Sequence, residues 1–194
     1  SPETNFFKKG SNLYNLDYAR KLSNKLDHIY LVEGYMDVVG LSKNGIENAV
    51  ANLGTSLTDR QILTLNQFFD DIIICFDGDE SGYKAALRAA ENSIKELKPE
   101  KQISFLFLPD GEDPDSYVNK NGKTFFTDFT KQSKISIHQF IFSHYKKQTE
   151  NNPSSMAIFE KKLRSIASTI KDDFIKKYVM EYFLEKIAEL TPHT

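Results

Sequence analysis

The sequence predicts an α/β fold, a mostly parallel sheet with helices on both faces followed by a small α-helical bundle subdomain. Three observations carry this. Short apolar segments alternate with helical patterns through the first 121 of 194 residues, which is the signature of βαβ units. One of them, residues 72–76 (Ile-Ile-Ile-Cys-Phe), is apolar at every position, as expected of a strand buried on both faces. Beyond Gly122 strand patterns vanish, and apolar residues recur at three- and four-residue steps.

Taken in order, residues 1–27 read as a lead-in segment ending in a helix over 15–26. Residues 28–32 form a strand, 35–43 a helix stopped by Gly45, and 48–53 a second strand closed by Gly54. Thr58-Asp59-Arg60-Gln61 has capping-box spacing, in which the Thr hydroxyl and the Gln side chain satisfy free amides at a helix start; that helix is expected to reach about residue 69. Strand 72–76 follows, then a helix over 81–97 halted before Pro99, then strand 103–108. Ser136-Ile137-His138-Gln139 is another capping box, and Pro153 opens the next helix. Phe159, Leu163, Ile166 and Ile170 make one apolar stripe; Ile175, Val179, Phe183, Ile187 and Leu190 make a second, after a break at Asp172-Asp173. The domain reading is therefore a lead-in at 1–27, an α/β domain at 28–121 and a helical subdomain at 122–194.

Composition excludes several classes. The chain is 40% hydrophobic and 27% charged, with 15 Phe and 9 Tyr, too apolar for a disordered segment. Its apolar runs fall far short of the ~20 residues that span a bilayer. A single cysteine, Cys75, excludes a disulfide framework and a cysteine-based zinc site, making a reducing, cytoplasmic setting the default. Cys75 lies inside an apolar strand and reads as core. The start, Ser1-Pro2-Glu3-Thr4, suggests a piece of a longer protein. The net charge of −2 hides an asymmetry: residues 1–119 carry 12 Lys/Arg against 19 Asp/Glu, and residues 120–194 carry 13 against 8.

The acids are clustered where strands end. Glu33 follows the first strand, Asp77-Gly78-Asp79 the third, and Asp113-Pro114-Asp115 lies in the loop after the fourth. Right-handed crossovers bring all three ends to one sheet edge, where open α/β sheets bind ligands. Two carboxylates about 4 Å apart repel by roughly 4 kcal/mol at an effective dielectric near 20. Five together call for protons or cations, and Mg²⁺ fits, since it takes one or two carboxylates and keeps several waters, leaving room for phosphate oxygens. Two such ions can activate an attacking oxygen and stabilise a leaving one. Gly34, Gly78, Gly82 and Gly111 flank the acids, where bare backbone permits tight turns. Each acid singly also reads as a loop carboxylate or helix cap, Asp79 above all.

The strings Glu33-Gly34-Tyr35-Met36-Asp37, Leu53-Gly54-Thr55-Ser56, Phe76-Asp77-Gly78-Asp79-Glu80-Ser81-Gly82 and Leu108-Pro109-Asp110-Gly111-Glu112-Asp113-Pro114-Asp115 occur in that order. This resembles the Toprim fold of topoisomerases and primases, and within it the bacterial replicative DNA primases. Residues 1–10, with Lys8-Lys9-Gly10, are similar to the segment preceding Toprim in that family. The resemblance implies that Glu33 is a metal ligand or general acid/base, that Asp77 and Asp79 hold Mg²⁺ (or Mn²⁺ as substitute), and that Asp113 and Asp115 complete the acidic pocket. Asp37, one turn beyond Glu33, supports a ligand or lies on the helix surface. Lys9, with Lys8, contacts nucleotide or nucleic-acid phosphate or is an ordinary exposed lysine. Gly54 and Thr55 shape the floor of the site. Lys161 and Lys162 in the basic half are candidates for flanking the nucleic-acid path.

The implied reaction is synthesis of an RNA primer from ribonucleoside triphosphates on a single-stranded DNA template, with release of pyrophosphate. The family's template-binding N-terminal subdomain, its zinc-binding domain and its helicase-docking C-terminal domain are not in this sequence, so zinc is expected only outside it. A monomeric fragment with little or no activity alone is expected. A Toprim nuclease or topoisomerase, or a non-catalytic metal- and nucleotide-binding module, are the alternatives.

Overall fold

The computed structural model describes residues 12–53 and 56–190. Five strands form one sheet in the order β2-β1-β3-β4-β5: β1 (His28–Val32), β2 (Ala49–Ala51), β3 (Asp71–Phe76), β4 (Gln102–Phe107) and β5 (Ile135–Ser136). The first four are parallel, and β5 pairs antiparallel with the edge of β4. Because successive side chains on a strand point to opposite faces, two separate cores arise. Ile29, Leu31, Ile72, Ile74, Phe76, Ile103 and Phe105 pack on one face, while Tyr30, Val32, Ile73, Cys75 and Leu106 pack on the other. Both faces of β3 are thus buried, which is why its sequence does not alternate. Cys75 is core, 1% exposed.

The helices divide between the faces. Helix α1 (Leu16–Ala19) continues as a short 3₁₀ turn, Arg20–Asn24, in place of the longer helix expected over 15–26; only Ala19 of the two segments is buried, so little apolar surface rewards further α turns. α2 (Tyr35–Lys43), α5 (Pro114–Asn121) and α6 (Lys123–Ser133) contribute Val38, Leu41, Val118 and Phe126 to the core shared with Tyr30 and Cys75. α3 (Asp59–Asn66) and α4 (Glu80–Ser93) cover the opposite face. The expected capping box at Thr58 is formed, with the Gln61 amide donating to the Thr58 hydroxyl at 3.2 Å.

Past the fourth strand the structure differs from the sequence pattern in two ways. Strand β5 extends the sheet, and α5 and α6 occupy stretches that show no clear helical period. α5 starts at Pro114 with Asp113 as its cap, so the same Asp-Pro-Asp string that signals a turn here begins a helix. α6 buries only Phe126 and Thr130, one turn apart, too narrow a stripe to stand out. Beyond β5, α7 (Ile137–Lys147), α8 (Pro153–Ser168) and α9 (Asp173–Leu190) follow. The predicted stripe Phe159, Leu163, Ile166 and Ile170 is buried throughout. In the second stripe Val179 and Phe183 are buried, whereas Ile175, Ile187 and Leu190 are partly so.

These helices share one core with the sheet. Phe140, Phe159, Leu163 and Phe183 belong to the same cluster as Ile74 and Phe105, so packing runs unbroken across residue 122. On the other face, Tyr30 and Thr130 hydroxyls are 2.9 Å apart and buried, and burial pushes the Tyr30 phenol up to about 12. Among the described residues no helix is long and apolar enough to cross a membrane.

Phe126 is fully buried, edge-on to Tyr30 with ring centroids 5.5 Å apart. Phe126→Ala is expected to cost about 3–5 kcal/mol and to lower a single cooperative transition in urea followed by circular dichroism. Separate, earlier melting of the helices beyond residue 122 would contradict the shared core.

Candidate active site

The connection from β1 to β2 runs through α2 on one face, and that from β3 to β4, on the far side of β1 from β2, through α4 on the other. The chain therefore leaves the neighbouring strands β1 and β3 in opposite directions, opening a crevice between their C-terminal ends, the usual ligand position in an open α/β sheet. Glu33 is the first residue after β1 and Asp77 the first after β3. Asp79 caps α4, its Oδ1 accepting from the Gly82 amide at 2.7 Å. Asp113 caps α5, its Oδ1 accepting from the Ser116 amide at 2.7 Å. Each cap uses one carboxylate oxygen and fixes the orientation of the other.

Asp37 is the acid that sequence reasoning undervalued. It is 7% exposed, and its Oδ1 accepts from the Asp115 amide at 3.0 Å, tying α2 to the start of α5. Asp115 is placed differently from expectation. Its Oδ1 accepts from Asn119 Nδ2 at 2.8 Å, and a Cβ added at Gly40 would lie 2.0 Å from that oxygen. The Asp115 carboxylate is thus packed on α2, and its backbone amide rather than its charge reaches the acids.

The electrostatics define the group that converges. Burial pushes Asp77 up to about 7, with Glu33, Asp113 and Asp79 adding repulsion. Burial likewise pushes Asp37 up to about 6, reinforced by Asp113 and Asp77. Glu33 stands at the rim and is also raised, by desolvation first and then by Asp79 and Asp37, while Arg88 opposes the shift. The Asp77 and Glu33 carboxyls are coupled: the proximity of Glu33 raises Asp77, while Asp77 favours the ionised form of Glu33. Glu33, Asp37, Asp77, Asp79 and Asp113 are therefore one electrostatic unit.

Backbone clamps hold the unit in place. The Gly78 amide donates to Glu112 O at 2.9 Å, and the Gly111 amide donates to Gly78 O at 2.8 Å, joining the loops after β3 and β4. A Cβ at Gly78 would come within 1.9 Å of Pro109 O, so only glycine permits this approach.

Among the described residues no three His, Cys, Asp or Glu side chains form a ready-made metal cage. The donor set nevertheless fits a hard divalent cation. Asp77 Oδ1 is buried with no hydrogen-bond donor, the donors are all carboxylate oxygens, and Mg²⁺ needs only one or two of them beside its waters. A cation there would offset the repulsion that raises Asp77 beside Glu33.

Lys161 and Lys162 are exposed on α8, with Lys162 Nζ 5.5 Å from the Tyr145 ring centroid. Lys8, Lys9, Gly54 and Thr55 lie outside the described residues. Sequence reasoning missed Arg88, which lies on α4 seven residues after Ser81; that spacing put it on the face of the helix next to the acids, and was the available signal.

With this geometry in hand, comparison with known proteins decides the family. The family described as Toprim domain matches residues 27–107. The chain holds a Toprim domain homologous to that of bacterial DNA primases. It is 39% identical to a DNA primase of Rickettsia felis over 188 residues, covering 96% of this chain and 31% of that protein. It is 46% identical to a DNA primase of Pseudomonas aeruginosa over 142 residues, 73% of this chain and 21% of that one. The E. coli primase catalytic core superposes with a TM-score of 0.90 at 36% identity, over 96% of this chain and 60% of that one. A DnaG primase catalytic domain bound to single-stranded DNA gives 0.88 at 35% identity, over 95% and 60%. The chain thus spans a third or less of the length of these curated relatives. Toprim membership implies use of a divalent metal, in keeping with the carboxylate donors, and a zinc-binding domain is named alongside the polymerase domain in a matched primase structure from Aquifex aeolicus.

The raised acids set a sign for pH dependence. Asp37 and Asp77 hold protons more tightly folded than unfolded, so their contribution to stability falls as pH rises from about 4 to about 7. In EDTA, Asp77→Asn is expected to flatten the Tm profile over this range. It should exceed wild type at pH 8 by about 2–4 °C, equivalent to about 1 kcal/mol after discounting for solvent screening. Added Mg²⁺ should raise the wild-type Tm and leave the variant's nearly unchanged.

Proposed function

We propose that this chain is part of the catalytic core of a DNA primase, making short RNA primers on single-stranded DNA by Mg²⁺-dependent nucleotidyl transfer. The convergence of Glu33, Asp37, Asp77, Asp79 and Asp113 at the β1/β3 crevice of a Toprim domain carries the reading. The homologous primases and the catalytic domain bound to single-stranded DNA support it.

Glu33 and Asp77 are the residues that would hold the metal, with the outward oxygens of Asp79 and Asp113 beside them. Bound there, Mg²⁺ supplies charge neutralisation and positioning for the phosphates, the two effects that dominate phosphoryl transfer. The chain's own contribution is orientation. The helix caps aim Asp79 and Asp113, Gly78 lets the two loops close on each other, and Asp37 fixes the start of α5. Asp115 serves through its backbone amide in this arrangement. Glu33, whose affinity for protons is raised by burial and by Asp79 and Asp37, is the proposed acceptor of a proton from an attacking 3′-hydroxyl.

The acids repel a nucleic-acid backbone, so template affinity comes from basic surface elsewhere. Lys8 and Lys9, and Lys161 and Lys162 in the half that carries 13 basic against 8 acidic residues, are the candidates in this chain. Ribonucleoside triphosphates, the template and the growing primer are the partners, and helicase docking belongs to a domain beyond this sequence. A cytoplasmic setting and a monomer that makes little or no primer alone complete the reading.

In the full-length protein, Asp77→Ala and Asp79→Ala should each lower primer synthesis by roughly 10²-fold or more while the melting transition is retained. Primer synthesis near the wild-type rate, or relaxation of supercoiled DNA in its place, would overturn the assignment. Charge reversal at Lys161 and Lys162 should weaken DNA binding and lower the slope of log K against log salt by about 0.7–0.9 for each phosphate no longer neutralised; an unchanged slope would remove them from the path.

A further inference from the structure

On the α3/α4 face of the sheet lies a cavity of about 370 Å³ that shares Glu33 with the acidic group. The ends of β1 and β3 form its floor through Leu31, Val32 and Ile74, and Glu33 stands at its mouth. Ser81, Ala85 and Arg88 of α4 form one wall. At 1.5 Å of rise per residue, Ser81 and Arg88 are separated by about 10 Å along the helix axis, a length matching an extended chain of two or three phosphates.

Arg88 is unusual among the cations of this helix. Lys84, one turn away, is engaged by Glu80 at 3.3 Å. Arg88 is exposed and takes part in none of the ion pairs found among the described residues, although its charge is felt at Glu33. A guanidinium lining the same cavity as Glu33, yet in none of the ion pairs among the described residues, is left with its donor fork free. That fork matches two oxygens of a phosphate at once, whereas a lysine offers a point charge.

We infer that Arg88, assisted by the Ser81 hydroxyl, is the docking arm for the β- and γ-phosphates of the nucleoside triphosphate, in the cavity that continues from the acidic crevice. This rests on the phosphoryl-transfer reading above. The acids gather the cation and the reacting phosphate at the mouth, and Arg88 receives the polyphosphate tail that becomes pyrophosphate. The division has an electrostatic reason: a tail with several negative charges cannot lie against Glu33 and Asp77 without a compensating cation, and among the described residues Arg88 is the one that lines this cavity.

The test uses the whole chain and inorganic probes. Calorimetric titration measures Mn²⁺ alone, then tripolyphosphate and pyrophosphate in the presence of saturating Mn²⁺, for wild type, Arg88→Ala, Arg88→Lys and Ser81→Ala. Arg88→Ala is expected to leave Mn²⁺ affinity and the melting temperature unchanged and to weaken tripolyphosphate binding at least tenfold. Arg88→Lys should recover part of the loss, and Ser81→Ala should lose a few-fold. Equal tripolyphosphate affinity in wild type and Arg88→Ala, with Mn²⁺ still bound by both, overturns the arm and leaves the metal reading intact. Loss of Mn²⁺ affinity in Arg88→Ala overturns it as well, assigning Arg88 to upkeep of the acids. A wild-type chain that binds no Mn²⁺ overturns the phosphoryl-transfer reading together with the inference.

Discussion

Repulsion among five carboxylates at the end of the β1/β3 pair is the constraint around which this molecule is arranged. Left to themselves, Glu33, Asp37, Asp77, Asp79 and Asp113 would separate. Instead each is tied to a different rigid piece: Glu33 and Asp77 to adjacent parallel strands, Asp79 and Asp113 to the helices they cap, and Asp37 to an amide of the neighbouring helix. Those ties keep the charges together, and the raised affinity of Asp37 and Asp77 for protons is the cost made visible. A site strained in this way has a standing preference for a cation.

The surrounding architecture resists the outward push. Both faces of the sheet are covered, so the strands that carry Glu33 and Asp77 cannot shift without opening a core. The helices after residue 133 strengthen one face at the site itself. Tyr83 of α4 is hydrogen-bonded to His144 of α7 at 2.9 Å, and Phe105, Phe107 and Phe140 pack in mutual contact behind it. Farther from the acids, the buried Glu96 is paired with Lys171, fastening the end of α4 to the bundle. The helical part of the chain therefore buttresses the helix that Asp79 caps.

Much of this was legible before any coordinates. Strand β1 and helix α2 fall where the pattern put them, and β3 and β4 within a residue, because their apolar periods are strong and their ends are punctuated by glycine or acid. The capping boxes at Thr58 and Ser136 are formed because they depend on four consecutive residues and nothing distant. α5 and α6 escaped notice for the opposite reason. Asp113-Pro114-Asp115 has the composition of a turn, and only docking against α2 makes it a helix start. β5 is two residues long and has strand geometry only because the edge of β4 is there to pair with. Among the five acids expected to meet, Glu33, Asp77, Asp79 and Asp113 lie together at the strand ends. Asp37 and Asp115 exchange importance, since which of two nearby carboxylates faces the crevice depends on how α2 packs against α5 through Gly40.

The first four strands with the helices between them, the presence of acids at three strand ends and the burial of Cys75 follow from local composition, because periodicity and chain direction alone decide them. Which carboxylates repel one another in the crevice, which are spent as helix caps, and the placing of Arg88 along a cavity wall were settled by the fold. Those outcomes depend on distances between segments far apart in the chain, and a linear pattern contains no such distances.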